Sequence, residues 1–401
     1  MSTPSQTMSR GLIALFAFCC GAIVANIYYA QPIIELMAPD ANLTNSTASL
    51  VVSLTQIGYA VGLFFLVPLA DLVENRKLIL ATLAVSFASL LGTAFAAHPS
   101  TLLLTSVLIG LSSVAVQMII PLAAHLTSEE SRGRVVGSIM SGLLLGILLA
   151  RPASSLVANF FGWRAVFMVA AGVMVVVAIA VALFMPQRKP SHSASYGALL
   201  ASLWHLFQRH PVLRQRALYQ ALMFAAFSLF WTASPIALAR EYGLSQAQIA
   251  VFALVGAMGA IAAPIAGRLA DAGHTQRLSH FAKLLAVVAF VPGLVALQLH
   301  LSFGVVALAI TGVLLDFAVQ MNMVLGQRAV YALDPASRGR LNALYMTSIF
   351  IGGAVGSSVA GSLYEHAGWT GVALAGAAMP VIALLVFLKV SASAPIAVKG
   401  A

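Results

Sequence analysis

Charged residues are scarce in this sequence. Asp, Glu, Lys and Arg make up 8% of the 401 residues, whereas hydrophobic residues make up 61%. A soluble domain usually carries about 25% charged residues, because charges cover its surface. The composition therefore excludes an ordinary soluble protein. Apolar runs recur along the whole chain, so the sequence predicts a protein that crosses a membrane many times rather than a soluble domain with one anchor.

Several kinds of chemistry also lack their motifs. The sequence contains no Walker Gly-x-x-x-x-Gly-Lys-Ser/Thr run, no His-Glu-x-x-His pair and no Gly-x-Ser-x-Gly elbow. Its two cysteines, Cys19 and Cys20, are adjacent inside the first apolar run. Neither a disulfide framework nor a Cys/His metal site fits that placement. We therefore expect no enzyme activity, no cofactor and no bound metal.

Twelve apolar stretches are each long enough to span a bilayer, which takes about 20 residues of helix. Only helices and closed barrels satisfy their backbone polar groups in lipid, and the alternation typical of strands is absent. The predicted fold class is therefore an all-α membrane protein. The stretches, here called spans 1 to 12, run over residues 11–34, 48–70, 78–97, 101–125, 135–159, 163–185, 217–239, 247–270, 281–300, 303–326, 341–363 and 369–389.

The basic residues are distributed unevenly between the two sides. The 21 Lys and Arg residues outnumber the 11 Asp and Glu residues and give a net charge of +10. With twelve spans, all of them except Arg151, Arg164 and Arg240 lie on the side that holds both termini. Since basic residues collect in cytoplasmic loops, we expect an inner-membrane protein with both termini in the cytoplasm. The lipid bilayer and a small solute are therefore the expected partners, and nucleic acid is not. The protein is expected to be a monomer.

The sequence repeats itself, and two of its four repeated segments share the same offset. The repeated segments lie in the first span, after the second span, and before and after the fifth span of two six-span halves, which predicts an internal duplication. The matching segments are 131–134 with 337–340, 162–163 with 368–369, 68–71 with 268–271 and, more loosely, 29–33 with 232–236.

The duplication divides the chain into three parts. Residues 1–185 are predicted to form an N-terminal six-helix bundle and residues 214–401 a C-terminal one. Residues 186–213 form a cytoplasmic linker, in which Leu199, Leu203 and neighbouring apolar residues fall at helical spacing. This amphipathic helix either lies on the membrane surface or packs on the protein as a connector.

The loop after span 2 resembles a known signature. Asp71 followed by a basic cluster, partly repeated after span 8, is similar to the pattern of the major facilitator superfamily, whose halves hold nested repeats. The resemblance covers nearly the whole chain, although Val67 and Glu74 replace two usual glycines. It implies two pseudo-symmetric six-helix bundles around a central cavity, and contacts that close a cytoplasmic gate. The implied gate residues are Asp71, Arg76, Lys77, Arg132, Arg134, Asp271, Arg338 and Arg340.

A finer resemblance concerns the direction of transport. The run 26–32 in span 1 resembles a subgroup of bacterial sugar or drug exporters. Proton-coupled antiporters usually carry an Arg in span 4, four residues before a Gly, where this sequence has Ser106 before Gly110. Span 5 keeps only part of the antiporter Gly-Pro pattern, and Arg151 precedes its Pro152. The resemblance implies export, whereas these two departures argue against simple drug–proton antiport.

One acidic residue, Asp316, lies in the middle of a span. An ionisable group inside the bilayer is costly and by default marks a transport pathway or a partner. Gln320, at i+4, shares its helix face, and Asn322 lies off that face. We interpret Asp316 as a protonatable or solute-contacting carboxylate. The alternative is a structural acid that is hydrogen-bonded between helices.

Arg151 is interpreted as the one basic residue well inside a span. A guanidinium stays charged and therefore needs an anionic partner, carbonyl groups or water. The resemblance implies that spans 5 and 10 approach each other, so Arg151 and Asp316 are candidates for a pair that couples transport to protons. The alternative is that Arg151 extends to the outer membrane surface.

Other polar and aromatic residues inside the spans are candidates for lining the cavity. The resemblance implies that the first span of each half faces it, and such groups suit a moderately polar organic solute. The alternative for the aromatic residues is an interfacial belt. The candidates are Asn26, Tyr28, Tyr29, Gln31, Gln56, Gln117, Trp231, Thr232, Gln320 and Asn322.

These observations predict a secondary active transporter that moves a small organic solute by alternating access, driven by protons and directed outward. An uncoupled facilitator or an uptake carrier is the alternative. A non-transporting membrane scaffold or sensor is an alternative of another class, and the duplicated halves and buried polar groups argue against it.

Overall fold

The computed structural model describes residues 8–190, 195–334 and 337–393. These residues are almost wholly helical, as their apolar runs require, and short 3₁₀ turns extend several of the helices. The helices are α1 (Arg10–Ala25), α2 (Ile34–Asp40), α3 (Asn45–Ala48), α4 (Leu50–Phe65), α5 (Asn75–Ala94), α6 (Pro99–Ser113), α7 (Val116–His125), α8 (Glu129–Phe161), α9 (Trp163–Phe184), α10 (Tyr196–Arg209), α11 (Pro211–Arg240), α12 (Gln246–Ala253), α13 (Met258–Asp271), α14 (Thr275–Val295), α15 (Leu301–Tyr331) and α16 (Arg338–Ser393).

Ten helical stretches in the described part of the chain are long and apolar enough to cross a membrane, where the sequence predicts twelve spans. The difference arises at two places. Helix α1 is a shorter apolar helix, and a 3₁₀ turn and α2 extend it. Helix α16 covers predicted spans 11 and 12, but Gly368 has non-helical backbone angles (φ 59°, ψ −163°) and divides it into two helices.

The repeated Gly-Trp pairs share a backbone conformation. Gly162 (φ 81°) separates α8 from α9, and Gly368 (φ 59°) separates the two parts of α16. Both values lie in the left-handed region, where glycine is the residue without steric cost. Two successive helices are therefore joined in the same way in the two halves of the chain.

Glycine also allows helix backbones to meet within each half. A Cβ atom on Gly21 of α1 would lie 2.6 Å from the carbonyl oxygen of Gly142 in α8. In the second half, a Cβ atom on Gly352 of α16 would lie 2.2 Å from the carbonyl oxygen of Ala221 in α11. Close packing on small residues is typical of membrane helices, since lipid gives no hydrophobic drive for their association.

The helical bundle has two ends with different side chains. We call the end that carries Arg76, Arg132 and Arg338 the basic end. The opposite end carries Glu35 and Arg240. Helix α10 lies at the basic end, where it buries Leu199, Leu203 and Leu206 against the protein while Trp204 is 58% exposed.

The two halves meet along α4 and the first part of α16. Near the opposite end, Ser49 Oγ donates to the carbonyl oxygen of Ser358, and the hydroxyls of Ser53 and Ser357 lie 2.9 Å apart. Towards the basic end the same two helices line a cavity. These two helices are therefore in contact near the opposite end, and a cavity lies between them towards the basic end.

Candidate functional site

Arg151 lies inside the protein, in the C-terminal third of α8. Its side chain is 4% exposed, and its Nε donates to Oε1 of Gln31 at 2.8 Å. Pro32 follows Gln31 in a 3₁₀ turn after α1, so the helix backbone is interrupted where the amide is presented. Arg151 therefore does not extend to the membrane surface, and the interpretation that it does is wrong.

Three aromatic rings surround the Arg151 guanidinium. Its central carbon lies 4.5 Å from the ring centre of Trp231, 5.0 Å from Tyr28 and 5.3 Å from Phe227. A cation over an aromatic face is attracted by the ring quadrupole, more strongly when water is excluded. Tyr28 and Trp231 are 4% and 1% exposed. The alternative interpretation, that these two residues belong to an aromatic belt at the membrane surface, is therefore wrong.

Trp231 also contacts the predicted carboxylate. Its Nε1 donates to Oδ1 of Asp316 at 2.8 Å, while its ring face covers Arg151. Asp316 and Arg151 do not form an ion pair within 4.0 Å in the described part of the chain. The two charges are therefore linked through the indole of Trp231 in this conformation rather than by direct contact.

Two glycines give the Asp316 side chain its space. A Cβ atom on Gly256 would lie 2.9 Å from Oδ2 of Asp316, and one on Gly259 would lie 3.0 Å from its Cβ. Asp316 therefore lies against the backbone of the turn before α13 and of the first turn of α13. The sequence signal for this contact is a pair of small residues in span 8, which is too common a pattern to be recognised alone.

Some predicted cavity residues lie at or near this site, at the interface between the halves. Gln56 Nε2 donates to Ser228 Oγ at 2.8 Å and so joins α4 to α11. The Thr232 hydroxyl, beside Trp231, is buried without a hydrogen-bond partner among the described residues. Gln117 donates to the hydroxyl of Tyr59 at 3.2 Å.

Other predicted cavity residues lie elsewhere. Asn26 is 3% exposed and donates to Ser86 Oγ at 3.4 Å, within the N-terminal half. Tyr29 is partly buried, and its carbonyl oxygen accepts a hydrogen bond from Ser154. Gln320 is partly buried in α15, and its Oε1 has no partner among the described residues.

A second buried cation was missed by sequence reasoning. Lys283 of α14 is fully buried, so the interpretation that Arg151 is the one basic residue inside the spans is wrong. Its Nζ donates to Oδ1 of Asn322 at 3.0 Å and lies 4.7 Å from the ring centre of Tyr219. Asn322 in turn donates to Gln220 at 2.6 Å. This network lies within the C-terminal half, so Asn322 belongs to it rather than to the Arg151 site.

A row of aromatic rings separates the Arg151 site from the basic end. The Tyr59 and Phe350 ring centres lie 4.4 Å apart across the two halves. Phe350, Phe224 and Phe227 then follow at 5.4 Å and 5.1 Å, and Phe227 reaches Trp231 at 6.4 Å. These rings form an aromatic layer on one side of Arg151.

Beyond the aromatic layer, a cavity of about 280 Å³ opens between the halves. Leu63 and Gln117 line it from the N-terminal half, and Tyr331 and Ala343 line it from the C-terminal half. Of the predicted gate residues, three belong to its lining. They are Asp71, Arg338 and Arg340.

Of the remaining predicted gate residues, those whose side chains the structure describes do not line the cavity. Arg76 donates to the carbonyl oxygens of Ala182 and Met185, and the backbone nitrogens of Arg76 and Lys77 donate to Glu74, which caps α5. Arg132 donates to the carbonyl oxygen of Ala124, and Arg134 is exposed. The side chain of Asp271 lies outside the described part. Asp71 forms no ion pair with Arg132 or Arg134 in this conformation.

At the opposite end, an ion pair joins the two halves. Arg240 at the end of α11 donates through Nε and Nη2 to both oxygens of Glu35, at 2.8 Å and 2.9 Å. A second acid, Asp40, accepts hydrogen bonds from Trp163 and Arg164 within the N-terminal half. These two bonds, the one from Trp163 first, lower the pKa of Asp40 below its usual value.

Comparison with known proteins gives a consistent family. A family model described as the Major Facilitator Superfamily matches residues 13–330. The chain is 42% identical over 393 residues to the uncharacterized transporter YgaY of Escherichia coli O157:H7, covering 97% of this chain and 98% of that one. It is 32% identical over 379 residues to a probable transporter of Streptomyces coelicolor, covering 93% and 86%.

A solved structure shows the same fold at low identity. It is a bacterial homologue of the human lysosomal transporter Spinster in an inward-facing and occupied conformation. The TM-score is 0.76 with 15% identity, and the match covers 98% of each chain.

Proposed function

The chain belongs to the Major Facilitator Superfamily and is a membrane transporter rather than an enzyme, and from this we propose that it is a proton-coupled secondary carrier. In this proposal it moves a small organic solute across the inner membrane by alternating access of two six-helix halves. The observation that carries the proposal is the buried contact of Arg151 and Asp316 through Trp231, because the two charged residues belong to different halves.

The Arg151 site meets the geometric requirement for alternating access. Arg151 and Gln31 belong to the N-terminal half, whereas Trp231 and Asp316 belong to the C-terminal half. When the halves rock against each other, the cation, the indole and the carboxylate change their separation. A solute or proton drives such a change only through different affinities for the two arrangements, and this site can supply them.

Asp316 is the proposed proton site. It is 4% exposed, it faces a fixed cation, and its hydrogen bond comes from a neutral donor rather than from a permanent counter-ion. A titratable carboxylate at a membrane-buried interface is a typical part of a proton relay. An uncoupled facilitator, in which Asp316 contacts only the solute, is the alternative outcome of the transport tests.

We further propose that the basic end faces the cytoplasm. The bias of Lys and Arg supports this orientation, so the cavity of about 280 Å³ opens inward and Glu35 and Arg240 close the outer side. Export is the direction implied by the sequence resemblance. The direction depends on whether the proton and the solute exclude each other at the Arg151 site or bind there together.

Transport into proteoliposomes tests the carrier proposal. The purified full chain is reconstituted, a pH gradient of either sign is imposed, and a panel of labelled amino acids, sugars, carboxylates and organic amines is offered. We expect one class to accumulate, and to stop accumulating when a protonophore removes the gradient. Accumulation that is insensitive to the gradient would favour a facilitator, and movement of no solute would contradict the carrier proposal.

The orientation gives a prediction about reporter fusions. A reporter that is active in the cytoplasm should be active after Lys399, and one that is active in the periplasm should be active at Asn42, since the basic loops remain inside. Exchanging the two reporters should give inactive fusions and serves as the control. The opposite pattern would contradict the orientation.

The Glu35–Arg240 pair gives a prediction about the outer closure. Arg240→Gln should favour opening of the outer side, because it removes an ion pair between the halves. Both side chains are partly exposed, at 37% for Arg240 and 22% for Glu35, so the pair stabilises the closed state by at most about 1 kcal/mol. A Cys placed at Ser357, which is fully buried at the interface, should react about two- to fivefold faster with an impermeant maleimide.

Arg164→Gln provides a matched control for that experiment. It removes an outer ion pair that lies within one half, so the labelling rate at position 357 should not change. The native Cys19 and Cys20 are buried and should contribute little background. Equal labelling in the two variants would show that the Glu35–Arg240 pair does not hold the halves together.

A further inference from the structure

Two hydrogen-bond donors at the Arg151 site are buried without partners among the described residues. They are Nη2 of Arg151 and Nε2 of Gln31. Arg151 is 4% exposed and Gln31 is 0% exposed. A buried donor without a partner costs free energy, so such groups in a native structure call for an explanation.

The two donors belong to side chains that are hydrogen-bonded to each other. An Arg side chain only donates, so the Gln31 amide must turn its oxygen towards Arg151 Nε, and this fixes the position of Gln31 Nε2. The Nε and Nη2 atoms share one edge of a guanidinium, the edge with which Arg240 holds both oxygens of Glu35. At Arg151 a neutral amide oxygen occupies only the Nε position of this edge.

The surroundings favour a flat or aromatic group that carries negative charge. Tyr28, Phe227 and Trp231 provide apolar walls around the guanidinium. The cavity at the basic end is lined by Arg188, Arg338 and Arg340 but by one acid, Asp71. A cavity mouth with this excess of positive charge attracts anions and concentrates them near the path to Arg151.

We propose that the solute carries an oxyanion, in the simplest case a carboxylate, that accepts hydrogen bonds from Arg151 Nη2 and Gln31 Nε2. This assignment rests on the proposed function, because it names the solute class for the same site. Guanidinium groups bind carboxylates with charge-assisted bonds that are about twice as strong as neutral ones. The aromatic walls then hold the organic part of the solute.

The charges at the site determine how the proton takes part. Arg151 supplies one positive charge, and the titratable groups that face it are Asp316 and Tyr28. With an ionised Asp316 the site is neutral, and an added anion would leave a buried negative charge, which is costly. With a protonated Asp316 the anion balances Arg151. The anion and the proton therefore bind together and move in the same direction, which is uptake under an inward proton gradient.

Binding of benzoate and benzamide to the purified chain tests the assignment, because the two probes share a shape and differ in charge. By titration calorimetry, benzoate should bind at least about tenfold more tightly than benzamide, and Arg151→Gln should remove this preference. Arg151→Lys keeps the positive charge but loses the planar set of guanidinium N–H donors, and should bind benzoate with intermediate affinity. Gln31→Leu should weaken benzoate binding, and Arg164→Gln, at the outer surface, should not change it.

The proton linkage has its own measurement. Benzoate binding should take up a proton and should tighten as the pH falls, and Asp316→Asn should abolish both effects. Equal affinities for benzoate and benzamide, no binding of either probe, or binding that survives Arg151→Gln would overturn the assignment.

The outcomes separate the two proposals. If the transport panel shows proton-driven movement of a neutral or cationic solute while benzoate does not bind, the carrier proposal stands and the oxyanion assignment fails. If benzoate binds in an Arg151-dependent manner while no solute moves, the oxyanion assignment stands and the carrier proposal fails.

Discussion

Asp316→Asn should abolish accumulation of the solute under a pH gradient while it still permits exchange of labelled for unlabelled solute. Coupling requires a group that binds a proton with different affinity in the two states of the carrier. An amide cannot titrate, so the variant loses the proton-dependent step. Exchange requires only that the carrier changes between its inward-open and outward-open states with solute bound, and this change does not require release of a proton.

The structure suggests that the asparagine variant keeps the site intact. Asn has nearly the size of Asp, so it fits against Gly256 and Gly259. Its amide oxygen can still accept the hydrogen bond from Trp231 Nε1. The variant also matches the protonated form of the carboxyl group, the form to which the anion is proposed to bind. The expected loss therefore concerns energy coupling and not folding.

Counterflow and gradient-driven uptake in the same proteoliposomes separate these two effects. Asp40→Asn is a suitable control, because the hydrogen-bond partners of Asp40 are Trp163 and Arg164, at the opposite end, and not Trp231. It should leave both activities unchanged. Accumulation by Asp316→Asn at the wild-type level would show that protons do not act through this residue and would favour the facilitator.

The buried charges were the part of the site that the sequence predicted best. Asp316 and Arg151 stand out in a sequence with few charges, because a charged residue within a span is costly and indicates a transport pathway or a partner. Their connection through Trp231 could not be predicted, since it depends on the side-chain directions of helices that are distant in the sequence. Spacing along one helix shows which residues share a face, but it does not show which other helix that face meets.

The basic residues that break the loop bias are explained by the structure. Arg164 and Arg240 are held at the opposite end by Asp40 and Glu35, and Arg151 is enclosed by rings. The sequence identifies these three basic residues as exceptions to the loop bias, but it does not identify the side chains that they contact. Lys283 was missed because it lies close to a predicted span end, where a lysine usually extends to the surface; its partners come from other helices.

Gly110→Ala should cause a large loss of stability. A Cβ atom on Gly110 of α6 would lie 1.8 Å from the carbonyl oxygen of Thr55 in α4. Backbone atoms cannot rotate away as a side chain can, so the two helices must separate. Alanine favours a helix over glycine by about 1 kcal/mol. Overpacking costs about 1 to 3 kcal/mol or more, so the net effect is destabilising.

The measurement is the thermal unfolding midpoint of the detergent-purified protein, together with the fraction that elutes as a single species. Gly172→Ala in α9 is the matched control, because a Cβ atom there would meet nothing within 4 Å. This control should be neutral or slightly stabilising, since alanine is the better helix former. Equal midpoints for the Gly110 and Gly172 variants would contradict close packing of α4 and α6.

Gly58 provides a stricter test of the same interface. Its Cβ atom would lie 2.0 Å from the carbonyl oxygen of Val107, so Gly58→Ala separates the same two helices from the other side. Once one methyl group has moved α4 away from α6, the second methyl group meets less resistance. The double variant should therefore lose less stability than the sum of the two single losses, as expected for neighbouring sites that share one displacement. Additive losses would mean that each methyl group is accommodated locally, with the helix axes unmoved.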